Sequence, residues 1–166
     1  MICFGIDPGI GLMGYGVVND RGGDMTAIDY GAISTEPGRP ISERLRDLYA
    51  ALNSKLSDHS PDIVAVEKLY FGRNTTTAEM VFQARGVILL AVANRGLALY
   101  EPKPSEVKLA VCGNGAAEKS QVQGMVKHLL NLGVTPRPDD AADALAIAIT
   151  GLSLAMYDEH KNRGIA

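Results

Sequence analysis

Tryptophan is absent from this 166-residue chain, and cysteine, phenylalanine and histidine are scarce, at two, three and three residues. Cys3 and Cys112 lie far apart with no metal-site spacing, which removes a disulfide framework and fits a reducing cytoplasm. His59, His128 and His160 share no ligand spacing with those cysteines, so a zinc site is not expected. No Walker lysine follows the early glycines Gly9, Gly11, Gly14 and Gly16, so they do not make a nucleotide-binding P-loop. Ser34, Ser42 and Ser120 lack the setting of an activated nucleophile. The best apolar run, Gly86 to Ala93, is too short to cross a bilayer, and the start of the chain carries no basic-plus-apolar leader. A soluble cytoplasmic protein with no membrane partner is the expectation. With aromatics at only 5% of residues, small and aliphatic side chains must fill the core.

What is present reads as one α/β domain over residues 1–157, with a flexible tail at 158–166. The apolar run from Ile2 ends at Asp7, and Pro8–Gly9 turns the chain there. Two more strands are expected at about 14–19 and 25–34, separated by the hairpin signal Gly22–Gly23. Many of the 18 glycines fall between residues 5 and 38 and read as tight turns between short strands. Ile41, Leu45, Leu48, Leu52 and Leu56 recur at helical spacing. A fourth strand at 62–67 ends on Glu67. A helix at about 76–94 follows, apolar on more than one face, which calls for a second covering surface: its own core or a symmetric partner. A short strand at 97–100, a short helix from Pro104, a helix at about 117–132 and a last helix at about 139–156 complete the chain. The order implies a five-stranded mixed sheet flanked by helices.

The net charge of −3 is unevenly spread. Residues 1–67 carry 5 basic against 10 acidic side chains, residues 68–137 carry 9 against 4, and residues 138–166 carry 2 against 5. Acidic flanks thus enclose a basic middle, which suits contact with a nucleic-acid backbone.

Four carboxylates occupy special places. Asp7 and Glu67 end apolar strands, and ligands of α/β sheets gather beyond the carboxyl ends of parallel strands. Asp140 and Asp143 are three apart at the start of an apolar helix and share a face. Ala141, Ala142 and Ala144 let that helix lie close to a sheet. An oxygen-only set without thiols matches Mg²⁺, and two such ions about 4 Å apart can both activate water and stabilise a leaving oxygen in phosphodiester hydrolysis. Three of these places also have a plainer reading: Asp7 as a turn acceptor, Glu67 as a partner of a surface lysine, and Asp139 or Asp140 as a helix cap. In the polar segment after Glu67, Tyr70 or Phe71 would serve to stack on a base or pack in the core.

Several blocks together resemble the RuvC family of Holliday-junction resolvases. They are Gly5–Ile6–Asp7–Pro8–Gly9 with Gly14–Tyr15–Gly16–Val17, then Val66–Glu67, Gln83–Ala84–Arg85–Gly86, Ala117–Glu118–Lys119–Ser120–Gln121–Val122, and the run from Asp140 to Ala148. The resemblance covers about residues 1–152. It implies a ribonuclease-H-like fold and a homodimer that nicks two strands of like polarity at a four-way DNA junction, leaving nicked duplexes that a ligase can seal. It places Asp7, Glu67, Asp140 and Asp143 at the family's acidic positions, with Mg²⁺, or Mn²⁺ in its stead, as two ions per site. Lys108 and Lys119 fall at its basic positions near the DNA backbone, and Tyr70 where an aromatic meets junction bases. A branch-migration motor is the implied partner complex. Asp139 beside Asp140 leaves the fourth acidic position open between them, and the acidic total charge departs from the basic character of many resolvases. Two rival readings stand beside this one: a ribonuclease-H-like nuclease acting on RNA, and a junction binder without cutting activity.

Overall fold

The computed structural model describes residues 1–69 and 75–164. Three strands open the chain, β1 (Ile2–Asp7), β2 (Leu12–Arg21) and β3 (Asp24–Ser34), joined as an antiparallel meander. Then come α1 (Ile41–His59), β4 (Ile63–Val66), α2 (Thr75–Asn94), β5 (Ala98–Tyr100), α3 (Pro104–Cys112), α4 (Lys119–Leu129) and α5 (Asp139–Asn162). The sheet order is β3-β2-β1-β4-β5, with β4 parallel to both β1 and β5. The expected five-stranded mixed sheet is present.

Side chains alternate across a strand, so each strand feeds two cores. Phe4, Ile6, Met13, Tyr15, Val17, Val64 and Val66 point to one side, where Leu48, Leu52 and Leu56 of α1 and Ala84 and Ile88 of α2 cover them. Cys3, Val18, Ile63 and Ala65 point to the other, under α5, with α3 and α4 packed outside α5.

The glycines correct the sequence reading. Gly22, Gly23 and Gly38 do sit in turns with positive φ. Gly5, Gly14 and Gly16 lie inside β1 and β2, within the strands expected there, but on the face beneath α5, where they serve packing and not a turn. A Cβ at Gly16 would come within 2.7 Å of the Leu145 backbone nitrogen, and one at Gly5 within 2.5 Å of the Ala148 backbone nitrogen. These strands are long, and their glycines admit a helix rather than punctuate them.

α5 accounts for a second difference. It runs to Asn162, beyond the expected end near 156 and into the segment expected to be a loose tail. The Glu159–Arg163 pair spans one helical turn there at 3.5 Å. By length and composition alone α5 is apolar enough to cross a membrane. In this fold it lies between the sheet on one side and α3 and α4 on the other, and all but Asp143 of the stretch Ala141–Leu152 is buried. A helix apolar all round is what a position between two layers requires. α2 is different: Ala84, Ile88, Ala91 and Val92 are buried, whereas Leu90 on its outer face is 55% exposed. Both cysteines are free.

Candidate active site

The strand period decides where the acids point. Cys3, Gly5 and Asp7 share the α5 face of β1, and Ile63, Ala65 and then Glu67 share that face of β4. Ile6 pairs with Val66 across the parallel ladder, so Asp7 and Glu67 follow side by side, and the Glu67 amide donates to the Ile6 carbonyl at 3.2 Å. On the other flank Asp7 pairs with Gly14 of β2. A Cβ at Gly14 would lie 2.6 Å from the Asp140 carbonyl carbon, so its absence lets the first turn of α5 settle over the strand ends. Asp140 and Asp143 arrive there on one helical face. Neither Asp139 nor Asp140 caps α5: Pro138 occupies that position, with no side-chain cap bond.

Asp7, Glu67 and Asp143 line a cleft of about 200 Å³ together with Lys108 and Lys119. Its far wall is apolar, from Val107 of α3, Val122 of α4 and Ala146 of α5. Both valines also belong to the buried core on the α5 side of the sheet. That α3 and α4 close a cleft depends on how they dock on α5, for which hydrophobic spacing carries no signal.

Burial, followed by the charges of Glu67, Asp143 and Asp140, pushes the Asp7 carboxyl up to about 7, against the opposing pull of Lys119. Burial and Asp143 also raise Glu67, and Lys108 opposes them. The Lys119 ammonium, 2.9 Å from Asp143 Oδ2 and 3.8 Å from Asp139 Oδ2, has its own pKa raised, first by the Asp143 hydrogen bond. Asp139 further pairs with Arg137. Asp140 is not part of the cleft lining, but its charge acts on both Asp7 and Lys119. The two adjacent acids thus separate: Asp139 is engaged with Arg137 and Lys119, and Asp140 bears on Asp7.

Among the described residues, the Asp7 and Glu67 carboxylates accept no hydrogen bond and join no ion pair. Two half-buried acids left without partners, in an all-oxygen set, fit a hard divalent cation. No three acidic or histidine side chains among the described residues form a ready-made cage for an ion. Such a donor set suits a metal that completes its shell with water and substrate oxygens. The histidines stand apart from this chemistry; His59 sits against Asp29 at 2.9 Å on the opposite face of the sheet.

Lys119 is at the start of α4, whose first turn is fixed by the Glu118 amide donating to Gln121 Oε1 at 2.8 Å. Lys108 projects from α3 and forms no ion pair among the described residues. Tyr70 and Phe71, the candidates for base stacking, lie outside the described residues.

A mixed sheet of this order, with acids at the ends of its central strands and α5 laid across them, is a ribonuclease-H-like fold. The family model described as crossover junction endodeoxyribonuclease RuvC matches residues 3–151. RuvC of Alkaliphilus metalliredigens is 51% identical over 90% of this chain and 91% of its own length. RuvC of Chloroflexus aggregans is 53% identical over 90% and 91%. Thermus thermophilus RuvC, solved in complex with a Holliday junction substrate, is 35% identical with a TM-score of 0.86, covering 95% of this chain and 96% of that one. The yeast mitochondrial resolvase Ydc2, at 14% identity and a TM-score of 0.67, shares the fold. The chain belongs to the RuvC family of crossover junction endodeoxyribonucleases, and it is an endonuclease. The family, the fold and the enzyme class expected from the sequence are all borne out.

Proposed function

We propose that the cleft between β1, β4 and α5 is the cutting site of a Holliday-junction resolvase, which nicks paired strands of like polarity and leaves ends a ligase can seal. The observation that carries this reading is the convergence of Asp7, Glu67 and Asp143 beside two lysines, in a chain about half identical to RuvC endonucleases. Asp7, Glu67, Asp140 and Asp143 would hold Mg²⁺, or Mn²⁺ in its place, as two ions. Such ions supply an activated water and neutralise charge on the leaving oxygen. The chain's own part is to gather the acids, close an apolar wall around them and orient the phosphate. Lys108 and Lys119 are the residues we assign to the DNA backbone, and Tyr70, three residues past Glu67, to stacking on a junction base. The acting form is a homodimer, because two matched cuts need two matched sites. Leu90 and the outer face of α2 are the surface we assign to it. A branch-migration motor is the proposed partner, and the cytoplasm the proposed compartment.

The test offers a four-way junction, a linear duplex, a single strand and an RNA duplex, each with Mg²⁺, Mn²⁺ or EDTA. Paired cuts confined to the junction and lost in EDTA are expected. Cutting of RNA would favour the RNA nuclease, and binding without cutting in any metal would favour the inert binder. Sedimentation at micromolar concentration should give about twice 17.6 kDa; a monomer with full cutting would reject the dimer.

The lysine assignment has its own measurement. Lys119→Ala should weaken junction binding in EDTA and flatten the salt dependence by roughly one phosphate-contact unit. An unchanged slope would leave the lysine as no more than the partner of Asp143 and Asp139.

A further inference from the structure

The Gln83–Ala84–Arg85–Gly86 block has no part in the cleft lining, yet Arg85 reaches the backbone that carries one of its acids. The Arg85 Nε donates to the Glu67 carbonyl at 3.5 Å. Its guanidinium is paired with the carboxylate of Glu101, just past the end of β5. Only 15% of the Arg85 side chain is exposed, so it is spent inside the protein and is poorly placed to meet DNA.

The position matters because the β4–β5 ladder has run out there. Its last register pair is Ala65 with Tyr100. Glu67 stands two residues further on, where a strand pair no longer fixes the backbone. Among the described residues, three bonds replace the ladder. The Glu67 amide donates to Ile6 at 3.2 Å, the Lys68 amide donates to Pro102 at 2.9 Å, and Arg85 holds the carbonyl between them. The first two tie the turn within the plane of the sheet. Among the described residues Arg85 alone ties it to α2, and Glu101 fixes the guanidinium in turn.

We propose that Arg85, anchored by Glu101, is a positioning residue for Glu67: it holds the peptide after β4 so that the Glu67 carboxylate stays beside Asp7 in the cleft. A side chain that orients a ligand through one hydrogen bond commonly costs about 10–100-fold in metal affinity or activity when removed. This inference rests on the reading of Glu67 as a metal-holding acid.

The test uses the full chain and four variants: Arg85→Gln, Glu101→Gln, the double variant, and Glu67→Gln. Cutting of a four-way junction is followed as a function of Mg²⁺. Mn²⁺ binding to the protein alone is measured in parallel by electron paramagnetic resonance. Arg85→Gln should raise the half-saturating metal concentration about 10-fold or more and weaken Mn²⁺ binding to match, with junction affinity in EDTA unchanged. Glu101→Gln should reproduce part of that shift. The double variant should be no worse than Arg85→Gln, because both act through one carbonyl. Arg39→Gln supplies the structural control: Arg39 bridges Glu43 and Asp47 of α1, the helix on the opposite face of the sheet from α5, so its loss should lower the melting temperature without moving the metal dependence.

A lower melting temperature for Arg85→Gln with an unmoved metal dependence would overturn the proposal and leave Arg85 as an ordinary structural arginine. A fall in EDTA junction affinity without a metal shift would overturn it too, making Arg85 a DNA contact. If Glu67→Gln itself cuts like the wild type, the reading of the site fails. If Glu67→Gln is inactive while Arg85→Gln is normal, only the positioning role fails.

Discussion

Asp7→Asn is expected to abolish cutting and, in the absence of divalent metal, to make the protein more stable above neutral pH. The two effects share one cause. Burial and three neighbouring carboxylates push Asp7 up to about 7, from an ordinary value of 3.8. Below about pH 4 the folded and unfolded chains both hold this proton, and the group is neutral in its effect. As the pH rises toward 7 the unfolded chain gives the proton up first, so folding loses stability across that window. Above pH 7 the full cost is present, on the order of 4 kcal/mol for a shift of about three units. Asparagine removes it. In EDTA the melting temperature of Asp7→Asn should therefore exceed that of the wild type at pH 8 and converge with it near pH 4. Added Mg²⁺ should raise the wild-type melting point and leave the variant's unchanged. Junction binding in EDTA should survive. Glu67→Gln and Asp143→Asn should also abolish cutting, as should Asp140→Asn, whereas Asp139→Asn should cut nearly normally because Asp139 is engaged with Arg137 and Lys119. Wild-type cutting by Asp7→Asn, or a lower melting point than the wild type at pH 8 in EDTA, would remove Asp7 from the centre of the site.

The acids were legible in the sequence for a physical reason. A charged residue that ends a run as apolar as Ile2–Ile6 or Ile63–Val66 has no place in either core, so it must lie at a sheet edge. The parallel pairing of β1 with β4 then brings Asp7 and Glu67 together. The spacing of Asp140 and Asp143 was equally readable, since helical periodicity is local. Contacts that depend on docking between distant elements were not. The Lys119–Asp143 pair joins α4 to α5, and the apolar wall joins α3, α4 and α5. Arg85 reaches Glu67 across 18 residues of chain. The glycines were misread because a glycine that frees a turn and one that admits a helix look alike in one dimension. Only Gly22 and Gly23, adjacent and followed by an acidic residue in a polar segment, declared themselves as a hairpin turn.

That misreading leads to the second large effect. Gly5→Ala, the addition of one methyl group, should strongly destabilise the fold and impair cutting besides. Gly5 is in the middle of β1, two residues before Asp7 and on the same face. A Cβ there would lie 2.5 Å from the Ala148 backbone nitrogen and 2.9 Å from its Cα. Those atoms belong to the helix backbone, so no rotamer change relieves the clash and α5 as a whole must lift. Overpacking a core typically costs about 1–3 kcal/mol, and a collision with backbone belongs at the upper end or beyond. For a chain of this size that corresponds to a fall of roughly 6–12 °C in melting temperature. Because α5 also carries Asp140 and Asp143, lifting it separates them from Asp7. Cutting should therefore fall even at temperatures where the variant is fully folded. Gly124→Ala is the counterpart. Gly124 lies within α4 with nothing within 4 Å of a new Cβ, and alanine there should be neutral or stabilise by about 0.5–1 kcal/mol. The pair distinguishes crowding beneath α5 from the general cost of replacing a glycine. A Gly5→Ala variant that melts with the wild type and cuts at its rate would mean that α5 is not held against β1 as closely as this fold requires.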